Sequence, residues 1–94
     1  MVVKPYQEIQ VTSNIKQRIF TEDTSSDDLC WHRDAENRTV RVLEGNGWKL
    51  QLDNCLPVEL TQDKEYFIPE RIYHRLIKGR NNLTVEIKSH QHIN

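Results

Sequence analysis

Ninety-four residues suit one domain, and a chain this short buries only about 60–65% of its unfolded surface, so its core is thin. Thirteen lysines and arginines against 14 aspartates and glutamates leave a formal charge of −1, mixed along the chain. That excludes the basic stripe of a nucleic-acid or anionic-membrane binder.

No apolar run approaches the roughly 18 residues of a spanning helix. Met1-Val2-Val3-Lys4-Pro5 turns polar too soon for a signal peptide, so a cytoplasmic protein is expected. Cys30 and Cys55 have no CxxC spacing and, without an export signal, read as free buried thiols.

In chain order, Lys4 to Val11 fits either an edge strand, through Ile9 and Val11, or one helical turn. Thr12-Ser13-Asn14 signals a turn, Lys16 to Phe20 a short strand, and Thr21 to Asp28 a polar loop. Period-two alternation then becomes regular. Leu29 to Arg33 reads as a strand that puts Cys30, His32 and Asp34 on one face, with Trp31, Arg33 and Arg75 turned the other way. Val40 and Val42 alternate within Arg38–Glu44, and Gly45-Asn46-Gly47 predicts a hairpin turn into the Trp48, Leu50, Leu52 strand. Asp53-Asn54 turns the chain, Pro57 to Leu60 is a short edge piece, and Gln62-Asp63-Lys64 turns it again. Glu65 to Ile68 is stopped by Pro69, and Tyr73 to Ile77 and Leu83 to Lys88 flank a turn at Lys78–Asn82. Short strands at turn-punctuated intervals of about 8–12 residues describe an all-β sandwich or barrel.

Two stretches give that barrel a family likeness. Ser26-x5-His32-x-Asp34-x3-Arg38-x6-Gly45 resembles the first cupin motif, Gly-x5-His-x-His-x3,4-Glu-x6-Gly. Asp63-x5-Pro69-x-Arg71-x2-His74-x3-Lys78 resembles the second, Gly-x5-Pro-x-Gly-x2-His-x3-Asn. His32, Gly45, Pro69 and His74 match in type and spacing; the remaining positions depart. The likeness spans roughly Leu29 to Lys88 and is to small single-domain cupins of the RmlC-like kind. It implies a double-stranded β-helix, or jelly-roll, barrel over residues 16–88, after a short irregular or helical N-terminal segment and before a tail at 89–94.

The resemblance also implies a site. Carried over residue by residue, the metal-binding set becomes His32, Asp34, Arg38 and His74. Two imidazoles and one carboxylate suit Fe²⁺, Mn²⁺, Ni²⁺ or Zn²⁺. The arginine in the glutamate position cannot ligate, because a guanidinium stays protonated. Two readings follow. In one, His32, Asp34 and His74 hold a divalent metal and Arg38 orients a small polar or anionic ligand. In the other, Arg38 pairs with Asp34, and the chain is a metal-free binding, sensor or structural-interaction protein. The same His-x-Asp…His pattern occurs in 2-oxoglutarate-dependent non-haem iron oxygenases, whose co-substrate anchor would fall to Arg75, Lys78 or Arg80. Trp48, Tyr66 and Leu76 are candidates for contact with the ligand, with plain packing as the alternative for the two aromatics. Val40, Val42, Leu50 and Leu52 are the expected apolar walls. The expected partners are a small molecule and a second copy of the chain, the thin core and outward Trp31 favouring a homodimer. His90-Gln91-His92 looks like a chelating pair but reads as solvated tail. No catalytic residue is assigned.

Overall fold

The computed structural model describes residues 5–90. Its eight strands are β1 (Gln7–Gln10), β2 (Ile15–Phe20), β3 (Asn37–Asn46), β4 (Lys49–Leu52), β5 (Val58–Glu59), β6 (Glu65–Ile68), β7 (His74–Ile77) and β8 (Arg80–His90). They form a five-stranded sheet in the order β1-β2-β8-β3-β6 and a three-stranded sheet in the order β5-β4-β7. Every pairing is antiparallel. The expected all-β double-stranded β-helix is therefore the observed fold. There is no α-helix among the described residues, and the N-terminal segment takes its strand option because β2 offers β1 a free edge.

Alternation decides which side chains fill the space between the sheets. Val40 and Val42 of β3 stand opposite Ile87 and Val85 of β8, and Phe20 of β2 stands opposite Leu83. Opposed residues share a face. These six meet Trp48, Leu50, Leu60 and Ile68 in one buried cluster. Trp48 is fully buried, and its indole N–H donates to the carbonyls of Arg80 and Asn81 at 3.2 and 3.3 Å. Register carries the same face to charged residues. Arg18 is opposite Val85, and Arg38 is opposite Ile68, so both arginines are turned toward the interior.

Several local expectations are corrected. Gly45-Asn46-Gly47 does not close a hairpin, because β3 and β4 lie in different sheets. Both edges of β3 are taken by β8 and β6, so the chain crosses to the opposite layer, where Trp48 and Leu50 face the core. The return crossing from β7 to β8 passes close by. A Cβ on Gly79 would lie 2.3 Å from the Trp48 backbone nitrogen, and Gly47 takes a positive φ of 76°. The turn before β8 is also shorter than expected, since Arg80 already pairs with Asn46. β8 in turn runs on to His90, where the tail was expected; the rest of that tail lies outside the described residues.

Leu29–Arg33 is not a strand either. Ser25 caps a turn of 3-10 helix at Ser26–Asp28, accepting from the Asp27 N–H at 3.2 Å. The chain then pairs its backbone with the smaller sheet through a single bridge, at His32. There the His32 N–H donates to the His74 carbonyl at 3.0 Å, and the His74 N–H donates to that of His32 at 2.8 Å. Cys30 and Cys55 are free, as expected, but exposed, because both sit in irregular segments outside the strands that build the core.

Candidate metal and ligand site

The irregular stretch after the 3-10 turn is fixed at two points. His32 bridges β7, and the Asp34 carbonyl accepts the Arg71 N–H at 2.6 Å. This brings His32, Asp34 and His74 together, with one potential ligand atom from each within 4.8 Å of the others. The two imidazole rings are 4.3 Å apart. His74 is buried, Asp34 is half-buried and His32, though exposed, lines both hollows.

Both rings are oriented from behind. His32 Nδ1 lies 3.1 Å from the Cys30 carbonyl, and His74 Nδ1 lies 2.9 Å from the Ile72 carbonyl. A carbonyl only accepts, so each Nδ1 carries the hydrogen, and the lone pair of a neutral ring is left on Nε2. Loss of solvent on the side of the ring that lines the cavity is the main cause that lowers the His32 pKa from its ordinary value. His74 Nε2 is 3.3 Å from Asp34 Oδ2. At that distance the pair is favourable either with a cation between or beside the two atoms or with the ring protonated at Nε2 as well, as an imidazolium donating to Oδ2.

Asp34 Oδ2 has one such cation nearby. Arg38 Nη1 is 3.2 Å away, while Arg38 Nη2 is 3.5 Å from Glu36. Neither Arg38 nor His74 is aligned for a hydrogen bond to Oδ2, and both Oδ2 and Arg38 Nε are buried polar atoms with no hydrogen-bond partner. The His74 ring, more than the Arg38 guanidinium, still holds the Asp34 carboxyl below the usual carboxylate range against the effect of burial. The donor types suit a divalent ion, and the His74–Asp34 pair already has the spacing of two ligands on one ion. Two atoms ligating one ion at about 2.1 Å lie roughly 3.0–3.4 Å apart at octahedral or tetrahedral angles, which brackets the His74–Asp34 separation.

The cluster lies at the junction of two hollows. The inner one, about 60 Å³, is lined by Arg38, His74 and aliphatic side chains that include Val40, Leu50 and Leu76. At about 10–15 Å³ per water it holds a handful of small atoms. The outer one, about 300 Å³, opens between Tyr6, Leu29 and Cys30. Arg18, Phe20, His32, Asp34 and Leu76 border both.

Of the residues singled out from sequence, the structure brings His32, Asp34, Arg38, His74 and Leu76 to the inner hollow. Trp48 and Tyr66 are not on its wall. Trp48 is sealed in the core, and the Tyr66 hydroxyl donates to the Glu59 carbonyl at 3.0 Å while accepting the Thr61 N–H at 2.8 Å, tying β5 to β6. Val42 is likewise sealed in the core, and Leu52 packs against it. Arg75 turns outward over Trp31, 4.8 Å from its ring, and its Nε donates to Gln51 at 2.9 Å. His90 Nε2 lies 2.7 Å from the Thr39 hydroxyl, while His92 is outside the described residues.

Arg18 is the residue the sequence reading missed. The signal was present, because alternation from Phe20 puts Arg18 on the core face.

No family model and no curated protein sequence matches the chain. Solved structures do. An RmlC-like cupin with a double-stranded β-helix fold from Methanocaldococcus jannaschii superposes with a TM-score of 0.70 at 12% identity, over 93% of this chain and 80% of that one. A structure reported with DMSP lyases gives 0.71 at 13% identity, over 82% of this chain but only 37% of the other. Iron(II) HppE gives 0.61 at 20% identity, over 90% of this chain and 48% of the other. The chain thus spans less than half the length of the latter two. At these identities the likeness concerns architecture. The motif pair, the two facing sheets and the superpositions agree: the chain has the cupin fold.

Proposed function

We propose that the protein binds a small anionic molecule in this cavity, beside a divalent metal held by His32, Asp34 and His74. The observation that carries the reading is the His74–Asp34 contact. With Nδ1 committed to the Ile72 carbonyl, Nε2 faces a buried carboxylate oxygen at 3.3 Å, an arrangement a shared cation stabilises. A divalent ion there would supply Lewis acidity toward a ligand oxygen or a bound water. The chain's own residues do the rest. The Cys30 and Ile72 carbonyls hold the rings in one tautomer, as carbonyls behind metal-bound imidazoles do. Arg38, paired to Asp34 on the cavity wall, adds positive charge that attracts the anion, and the aliphatic side chains limit solvent there. The architecture shared with iron(II) HppE supports this reading without supplying a substrate.

Elemental analysis of tag-free protein tests it. About one equivalent of Fe, Mn, Ni or Zn is expected, falling to background in His74→Ala. A metal-free preparation that also fails to take up added ion would overturn the metal half of the reading. In that case the second reading stands, favoured by the 3.2 Å Arg38–Asp34 contact, of a metal-free binding cavity closed by that ion pair.

A further inference from the structure

Arg18 is nearly buried in β2 and borders both hollows, yet its built-in partner lies elsewhere. Its Nε donates to Glu8 at 2.7 Å, and Glu8 also faces Lys16 at 3.5 Å. One carboxylate thus serves two cations, so Glu8 alone does not neutralise both Arg18 and Lys16. The guanidinium is held flat as well. Its central carbon sits 4.2 Å from the Tyr6 ring centroid, Tyr6 packs edge-on to Phe20 at 5.3 Å, and Phe20 meets the buried Trp48 at 6.1 Å. A stacked, Nε-anchored arginine spends little further entropy on binding and presents its two terminal amino groups as a fork suited to an oxyanion. Of the other charged groups, Asp34 is shared by His74 and Arg38, Arg38 also reaches Glu36, and Asp28 stands on the wall of the outer hollow. Inward of Arg18 the wall becomes aliphatic, with Leu50, Leu60, Ile68 and Ile87 beyond Phe20.

From this we infer that Arg18 determines specificity for a short aliphatic carboxylate, whose oxygens sit on the Arg18 fork at the junction and whose tail enters the inner hollow. The inference deepens the reading of the cavity as a binding site and names its ligand class. It does not depend on whether the site holds a metal.

Butanoate, butanamide and butylammonium, titrated separately into the full chain and followed by amide chemical shifts, test it. Butanoate is expected to bind at least tenfold more tightly than either isostere, with shifts centred on Arg18, Phe20 and Leu76. Arg18→Gln is expected to weaken butanoate tenfold or more, and Arg18→Lys to recover part of the loss, with metal content unchanged in both. Equal binding of butanoate and butanamide by the wild-type chain overturns the inference without recourse to any variant. So does full butanoate affinity in folded Arg18→Gln. A chain that holds no metal but still prefers butanoate contradicts the metal reading and leaves this one standing.

Discussion

Glu8 shows how one side chain links the barrel mouth to stability. The Arg18 hydrogen bond is the main cause holding its carboxyl below the ordinary value of 4.5. A depressed carboxylate stabilises the fold above its unfolded pKa and loses that contribution as pH falls through the folded one. Urea unfolding should therefore show wild type more stable than Glu8→Gln at pH 6, with the gap closing as the pH drops below about 4.5; a constant gap would place the effect in packing. Trp48 belongs to the same scale. Its side chain is fully buried, so Trp48→Ala should cost about 3–5 kcal/mol in the same assay. A loss below 1 kcal/mol would show that the core tolerates the cavity.

Among the elements, the two crossings between sheets are the tightest feature. A Cβ at Gly79 would also meet the Gly47 carbonyl carbon at 2.4 Å, and backbone cannot yield as a side chain does. Gly79→Ala should destabilise by about 1–3 kcal/mol or more, read from the urea midpoint. The β3 arginine offers a sharper contrast. If Asp34 ligates a metal, Arg38→Gln removes a repelling charge and should raise Zn²⁺ affinity at least tenfold, by competition with a chromogenic chelator. If Arg38 instead satisfies Asp34, the same change should lower stability by about 1–3 kcal/mol and leave Zn²⁺ binding absent.

The same elements show what could be read beforehand. Val40, Val42, Leu50 and the Pro69 stop were legible because alternation and a missing N–H act locally. The partner of β4 was not, since Asn46-Gly47 suits a hairpin or a crossing equally well, and only the occupied edges of β3 exclude the hairpin. The meeting of His32 with His74 followed from motif spacing. That His32 sits on a single bridge rather than in a strand depends on the Ser25 cap and the Arg71–Asp34 contact, 37 residues apart. Arg18 was overlooked for a different reason: a charged residue on a core face reads as an error in the pattern until its partners are known.

Taken whole, the molecule is two antiparallel sheets around a thin core, with polar chemistry gathered where an irregular segment crosses one end. No helix among the described residues is long and apolar enough to cross a membrane. The central claim is that two imidazoles, fixed at Nδ1, turn Nε2 toward a common point beside Asp34. Titrating Zn²⁺ into ¹⁵N-labelled protein and reading the imidazole nitrogens by NMR tests it most directly. The account predicts that Nδ1 of His32 and His74 stays protonated while both Nε2 resonances move together and saturate near one equivalent. Zn²⁺ shifts confined to His90 and His92, or protonated Nε2 atoms in the two site rings, would contradict it.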